Sequence, residues 1–492
     1  MSEESLSKLI KQFNTMLEDK NQRPQVYHTK MVDDLITLAT KVSKDELHIE
    51  TMKSFENAVQ NNAELQMVLN SSILFYVVVL LQKTSSKQVQ IQCMDLLAWL
   101  SQSEQCINAL ISTHNLHKDL IKLADSQLKQ FKAPIQAEEV EFVVKLGALL
   151  VVQTTFSKKA QQLFQKLGFT QYFSETLKLS TVEISVQSDK LIQISLSVLE
   201  KMASETQQCE YLISQKVDSI LLQLLQNYIQ ETDESRITQE SCMLSCNLLA
   251  TMCVVVPSSA QHFLDLQALR LLLEVLQITT HTVETSRFAL SAFVELVYAN
   301  KGSKYQNVTT MLRSVGDPCL DDTMRRLLVL YDILKEDSES IAVWGTLFRM
   351  IGTVPRKEDY VREIILQNGF ISKSIELIVD QNLSLQAKGA ILDALGQFLT
   401  VQNLPKNVLM NDIPKLITVL LRTKREFSSP RNKTKVDKVV FAEAAEKCRA
   451  VLEKLGHSEG KDNKKLSAYA MVVVGVGILI GTGINYLRGS PK

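Results

Sequence analysis

Residues 370–400 read FISKSIELIVDQNLSLQAKGAILDALGQFLT. The first ten keep apolar side chains at helical spacing, and DQN (380–382) then offers only polar, turn-forming groups. From Leu383 to Thr400 the apolar residues again recur at helical spacing, and QNLPKN (402–407) with its proline closes the stretch. A short apolar helix, a polar hinge and a long amphipathic helix leave two apolar faces to cover. Such a unit needs neighbours of its own kind to stack on.

The chain supplies them. ILFYVVVLLQ (73–82), KTSS (83–86) and KQVQIQCMDLLAWLSQ (87–102) repeat the scheme. LQALRLLLEVLQ (266–277), ITTHTV (278–283) and ETSRFALSAFVELVYAN (284–300) do so again. Weaker unit starts fall near Leu116, Phe169, Val217 and Ile413, so successive starts lie roughly 43 to 53 residues apart. The interval from 266 to 370 holds two units, the first degenerate around Val315 to Leu334. A period of 40 to 50 residues with all-helical units is the mark of a stacked helical solenoid. Glycine agrees: of 16 in the chain, seven follow residue 455, which leaves nine for everything before. Tight hairpins, phosphate-cradling loops and strand-to-helix elbows all draw on glycine, so this composition predicts helix throughout.

At this point the sequence resembles the armadillo-repeat family, with HEAT repeats as its close neighbour. The resemblance rests on the apolar helix, the polar hinge and a long third helix such as VQIQCMDLLAWLS (89–101) or LQAKGAILDALGQFL (385–399), and covers most of 70–422. It implies an all-α, right-handed armadillo-like solenoid that binds proteins, in this superfamily including small GTPases, cytoskeletal adaptors and chaperones. Import receptors of the family line their groove with a repeated Trp and Asn ladder. This chain has only Trp99 and Trp344 and no W-x-x-x-N, so that function is not expected, and Trp99 reads as packing between repeats.

Outside the repeats, 1–69 read as an N-terminal helical cap. Leu6, Leu9, Ile10, Phe13, Met16 and Leu17 share one helical face behind Ser2 as N-cap, and more helix is expected from Val26 to Leu69. After the repeats (70–421), RTKREFSSPRNKTKVDK (422–438) reads as an exposed basic linker, with seven Lys or Arg against Glu426 and Asp437. Arg422, Lys424, Arg425, Arg431, Lys433 and Lys435 form a candidate patch for lipid or partner. A terminal amphipathic helix (439–456) and a tether (457–465) follow.

Residues 466–487, LSAYAMVVVGVGILIGTGINYL, carry no charge. As a helix they would extend roughly 33 Å, enough to cross a hydrocarbon core of about 30 Å. Leu466, Tyr469, Val474, Gly477, Gly481 and Leu487 mark the span, Lys464 and Lys465 precede it, and Arg488 and Lys492 lie in the short basic tail 488–492. The expectation is one C-terminal transmembrane tail anchor with the N-terminus in the cytosol. Its modest hydrophobicity and basic flanks favour the mitochondrial outer membrane, with the endoplasmic reticulum second. Gly477 and Gly481 form a G-x-x-x-G that would let two such helices pair, making a homo-oligomer through the anchor one alternative.

Reactive chemistry is not expected. The chain has no G-x-x-x-x-G-K-[ST], no H-E-x-x-H, no G-x-S-x-G and no C-x-x-C. Cys242, Cys246 and Cys253 align on one side of ESCMLSCNLLATMCVVV and read as core packing; the eight cysteines read as reduced thiols. His114 and His117, with only Asp119 nearby, do not make a metal site, and Glu138, Glu139 and Glu141 read as a solvated helix start. Zero formal net charge gives no field for nucleic acid. The function expected is a non-enzymatic, membrane-tethered adaptor without cofactor or metal, bound to cytosolic protein partners. The alternatives are a regulator of a membrane-associated small GTPase and a membrane-active protein that self-associates through its anchor.

Overall fold

The computed structural model describes residues 2–19, 30–60, 72–113, 116–129, 136–182, 184–230, 237–278, 282–299, 320–353, 359–399, 406–428 and 435–455. All their regular structure is α-helical. The chain divides into two compact units, Met1–Ser259 and Ala260–Lys492.

Unit 1 opens with α1 (Ser2–Glu18), α2 (Met31–Ala39) and α3 (Asp45–Gln60), followed by α4 (Ser72–Lys83) and α5 (Lys87–Leu100). Three full triplets follow: α6 (Glu104–Thr113), α7 (Leu116–Leu128) and α8 (Ala137–Phe156); α9 (Lys158–Leu167), α10 (Phe169–Ser180) and α11 (Val186–Met202); α12 (Thr206–Ser214), α13 (Val217–Gln230) and α14 (Gln239–Val255). Unit 2 takes in α15 (Ser259–Asp265) from its second residue, α16 (Ala268–Leu276) and α17 (Val283–Ala299), then α18 (Leu320–Leu334) and α19 (Ser338–Gly352). It continues with α20 (Asp359–Gln367), α21 (Phe370–Val379) and α22 (Leu385–Phe398), and ends with α23 (Lys406–Ser428) and α24 (Lys435–Lys454).

The repeat is therefore a short helix, a second helix and a long third one. In unit 1 the third helices stack in series, α3 on α5, α5 on α8, α8 on α11 and α11 on α14; in unit 2, α17 packs on α19, α19 on α22 and α22 on α24. The apolar runs read from sequence are the second helices. Leu116, Phe169, Val217 and Phe370 are each the first residue of one. The short first helices left little signal because they bury so little: α9, KKAQQLFQKL, buries only Ala160 and Phe164.

One backbone device turns the first helix into the second. Gly168 and Gly369 hold left-handed φ of 92° and 89° between α9 and α10 and between α20 and α21. Lys216 and Gln267 hold φ of 61° and 63° at the same corner of their own triplets. A non-glycine residue there costs about 1–2 kcal/mol, which packing of the flanking helices must offset. On α11, Leu191, Ile192, Leu196, Val198, Leu199 and Met202 are buried, and each fully buried aliphatic side chain contributes about 1.5–3 kcal/mol. In unit 2, Phe370 of α21 meets Phe398 of α22 at 4.7 Å between ring centroids and Phe348 of α19 at 5.1 Å. Trp344 lies fully buried beside them and donates its Nε1–H to the Leu327 carbonyl at 3.0 Å.

Between Val26 and Leu69 the described residues are mostly helical, as α2 and α3 with Thr40 to Lys44 between them. Two boundaries differ from expectation. No unit starts at Ile413: α23 runs unbroken from Lys406 to Ser428 with Pro414 inside it. Nor are 422–438 a linker throughout, because Arg422 to Ser428 continue α23 and α24 begins at Lys435, not 439. Thr423 and Phe427 are buried among these basic residues, and a charge count along the sequence does not see that stripe.

Candidate docking face

Each pair of stacked third helices in unit 1 is keyed by side chains crossing between them. Glu56 of α3 accepts from Gln92 Nε2 at 2.8 Å and from Trp99 Nε1 at 3.0 Å, both on α5. Trp99 thus packs between repeats, as expected. Lys145 of α8 pairs with Asp95 of α5 at 2.8 Å. Between α8 and α11 the key is steric: a Cβ on Gly147 would lie 2.2 Å from Ile194 Cγ1. Between α11 and α14, buried Asp189 accepts from Ser241 Oγ at 2.6 Å, and Gln193 Nε2 donates to Thr238 Oγ1 at 2.9 Å.

A second polar chain lies deeper. Gln153 of α8 donates to Ser101 Oγ at 2.9 Å and accepts from His117 Nε2 on α7 at 2.7 Å. Burial lowers the His117 pKa to about 4 against the opposing Gln153 hydrogen bond, so the imidazole is neutral at pH 7. His48 Nε2 donates to the Val42 carbonyl and Nδ1 accepts from Tyr76 Oη; burial lowers its pKa too.

With their flanks occupied, the third helices leave one stripe open. On α8 it runs Glu138, Glu141, Ala148, Val152, Thr155, interrupted at Lys145, which turns to Asp95 of α5. Its first half is acidic, as is the open stripe of α3 with Glu46 and Glu50. Its second half is apolar and continues in kind through half-buried Ile194 on α11 and Leu244 on α14, with Val254 57% exposed. Where α8 ends, a cavity of about 420 Å³ is lined by Thr155, Phe156, Lys158, Gln161, Ser204 and Glu205. The face offers many shallow contacts of two chemical kinds.

The residues singled out from sequence fall as follows. Cys242, Cys246 and Cys253 are buried on α14, and the Cys242 thiol together with full burial pushes the Cys246 pKa well up. Among the described residues, no group of three His, Cys, Asp or Glu comes together to hold a metal. His117 lies inside α7; His114 lies outside the described residues. Glu138 and Glu139 sit in the first turn of α8, where Glu139 accepts from the Gln136 amide at 3.4 Å and lies 3.6 Å from Lys87, while Glu141 is exposed one turn on. Of the basic patch, Arg422, Lys424 and Arg425 lie on the last turns of α23, and Lys435 is the first residue of α24. Arg431, Lys433 and the whole anchor, 466–487 with its flanks, lie outside the described residues. Among the described residues no helix is long and apolar enough to cross a membrane. Asp189, Glu56 and Gln153 went unnoticed because only their partners, 36 to 52 positions away, give them a role.

No family model and no curated protein matches this chain. Among solved structures it is similar to a crystal structure of an engineered protein, with a TM-score of 0.63 at 15% identity, covering 93% of this chain and 96% of that one. A second engineered protein gives 0.43 at 17% identity over 55% of this chain and 97% of that one. A designed armadillo repeat protein gives 0.41 at 19% over 52% and 95% respectively. The first likeness extends over nearly the whole chain and is one of fold.

Proposed function

We infer that this chain is a non-enzymatic interaction scaffold, tethered to a membrane by 466–487, that presents its third-helix face to a cytosolic protein. The observation carrying the reading is the open stripe of unit 1. The flanks of the third helices are used to hold the repeats together, while Ile194, Leu244 and Val254 stay partly open among the polar Ser197, Asn247 and Thr251. Apolar side chains left in water over several repeats suit a partner's apolar side chains better than a small substrate. The uncharged 22-residue run, with Lys464 and Lys465 before it and Arg488 and Lys492 after it, supports the tether; its modest hydrophobicity favours the mitochondrial outer membrane. Confining the scaffold to a surface raises the local concentration of whatever it holds.

Proximity labelling from the N-terminus tests both parts at once. Leu244→Glu with Val254→Glu should remove a defined subset of labelled proteins without moving the scaffold, since both side chains already touch water. Removing 457–492 should release the protein into the carbonate-soluble fraction. An unchanged labelled set with both charges in place would refute the docking face, and retention on membranes after truncation would refute the tether.

A further inference from the structure

The terminal helix pair has an end unlike the rest of the molecule. α23 and α24 pack as an antiparallel hairpin, with Phe427 near the end of one stacked edge-on against Phe441 near the start of the other, 5.5 Å between centroids. Around that contact Val439 is 66% exposed, Val440 40% and Leu421 36%. Leu421, Arg422 and Arg425 share the open stripe of α23, and Glu426 beside them is engaged by Arg422 at 2.9 Å. Exposed aliphatic side chains at one end of a helix pair, with exposed arginines on the same pair, match the composition of a membrane-interface contact better than that of a solvated helix end. The charge runs the same way along the sequence, with seven Lys or Arg against two acids over 422–438. Farther along α24, Arg449 is likewise held by Glu446 and Glu453, and Lys447 by Asp393 and Glu443.

The geometry points to the α23–α24 tip as a second membrane contact, in which Val439, Val440 and Leu421 enter the interface and Arg422 and Arg425 meet anionic phospholipid headgroups. This rests on the tether reading above, and the distances permit it. From Val440 to Leu455, α24 rises roughly 22 Å. The ten residues 456–465 can span at most about 33–36 Å, more than that rise of roughly 22 Å, so α24 can point its tip at the surface that holds 466–487. A tip already held near the bilayer needs little intrinsic affinity, because the tether makes its docking intramolecular. The consequence is orientation: a tether alone lets the repeats swing, whereas two contacts fix one face of unit 2 toward the membrane.

The test uses the full chain reconstituted into vesicles of neutral phosphatidylcholine alone, or with about 30 mol% phosphatidylserine. Val439→Cys carries an environment-sensitive fluorophore, and shallow nitroxide lipids serve as quenchers. Flotation reports the tether separately. The expected result is flotation with both vesicles, but quenching at 439 only with phosphatidylserine. Arg422→Ala with Arg425→Ala should lower the docked-to-undocked ratio about fivefold per charge. Hydrogen exchange of the unlabelled chain over 418–428 should slow on anionic vesicles alone, which guards against a label that perturbs the helix. Flotation with an unquenched probe and unchanged exchange overturns the tip and leaves the tether standing. Equal quenching on neutral vesicles, or shielding that grows with protein concentration and ignores nitroxide, overturns the lipid assignment in favour of a general apolar contact or a second copy. Failure to float overturns both readings.

Discussion

Gly352 closes α19 at the point where that helix lies hardest against α22. A Cβ placed there would stand 2.6 Å from the Gln397 Cβ and 3.3 Å from the Phe398 ring. The Gln397 contact is with the first atom of a side chain, so no rotamer change relieves it and the two backbones must part. Two turns earlier, Gly345 sits 3.0 Å by the same measure from the Ala390 backbone, so the close approach runs along the length of the pair. Overpacking of this kind costs typically about 1–3 kcal/mol. Alanine recovers up to about 1 kcal/mol of helix propensity, but less in a terminal position. Gly352→Ala should therefore destabilise the α19–α22 contact by about 1–2 kcal/mol, which is about 5–30-fold in local opening. Hydrogen exchange is the suitable assay, since a chain of two units does not melt as one cooperative species. Peptides from 338–352 and 385–398 should exchange faster by that factor, while those from 137–156 in the other unit should not change. Adding Gln397→Gly removes the offending atom, and the double variant should be less unstable than the sum of the two. Unchanged or slower exchange in α19 and α22, or strict additivity, would refute the close-approach argument.

Three further outcomes follow from buried groups. The His117 pKa is about 4 in the fold against an ordinary 6.5, so the unfolded chain takes up a proton first as pH falls. Its contribution is complete above pH 6.5 and is lost between 6.5 and 4, about 3 kcal/mol in all; His117→Gln should flatten that part of a pH–stability curve for unit 1, and an equally steep curve would count against it. Asp189→Ala strands Ser241 Oγ and loosens Gln193, which should cost about 1–3 kcal/mol, read as faster exchange in α11 and α14 with α5 unaffected. Seven of the eight cysteines are buried, and burial raises the thiol pKa of Cys93, Cys106, Cys209 and Cys448; a disulfide reagent should titrate at most one thiol natively and eight in denaturant, and two fast thiols would contradict this packing.

The second helices were legible because each concentrates its apolar residues in one short run beginning on a residue that enters the core, as Phe370 and Phe169 do. The corners were half legible. Glycine marks two of them, but Lys216 and Gln267 take the same left-handed turn with nothing in their identity to announce it. The hairpin tip was misread as a linker for a similar reason. Its first charges, Arg422 and Arg425, are near neighbours in sequence but stand on the open side of a helix whose other side buries Thr423 and Phe427. The docking face was the least legible part. Val152, Ile194 and Leu244 look like any core aliphatic in their own helices, and only the stack shows that they stay partly open.

Both units mix two physical means of joining their third helices, and in unit 2 Arg287 of α17 meets Glu339 of α19 at 2.7 Å and Lys447 of α24 meets Asp393 of α22 at 2.9 Å. In unit 2 the α19–α22 contact depends on small residues, Gly345, Gly352, Ala390 and Ala394, which bring backbones close and gain dispersion without directional demand. In unit 1 the steps on either side of Gly147 use polar keys: Glu56 between two donors, Asp95 with Lys145, and Asp189 beneath Ser241. A buried carboxylate adds little net stability, because its desolvation offsets most of what its partners return. What it does add is a penalty for error. Were α14 to slip by one residue against α11, Ser241 would rotate off the contact and Asp189 would be left charged and buried, at several kcal/mol. An apolar stack of near-identical helices lacks such a register of its own, since leucine fits leucine at many offsets. The keys therefore act on specificity: they align α3, α5 and α8 with one another and α11 with α14, the Gly147–Ile194 contact joins the two sets, and in that alignment α8, α11 and α14 each keep half-open side chains.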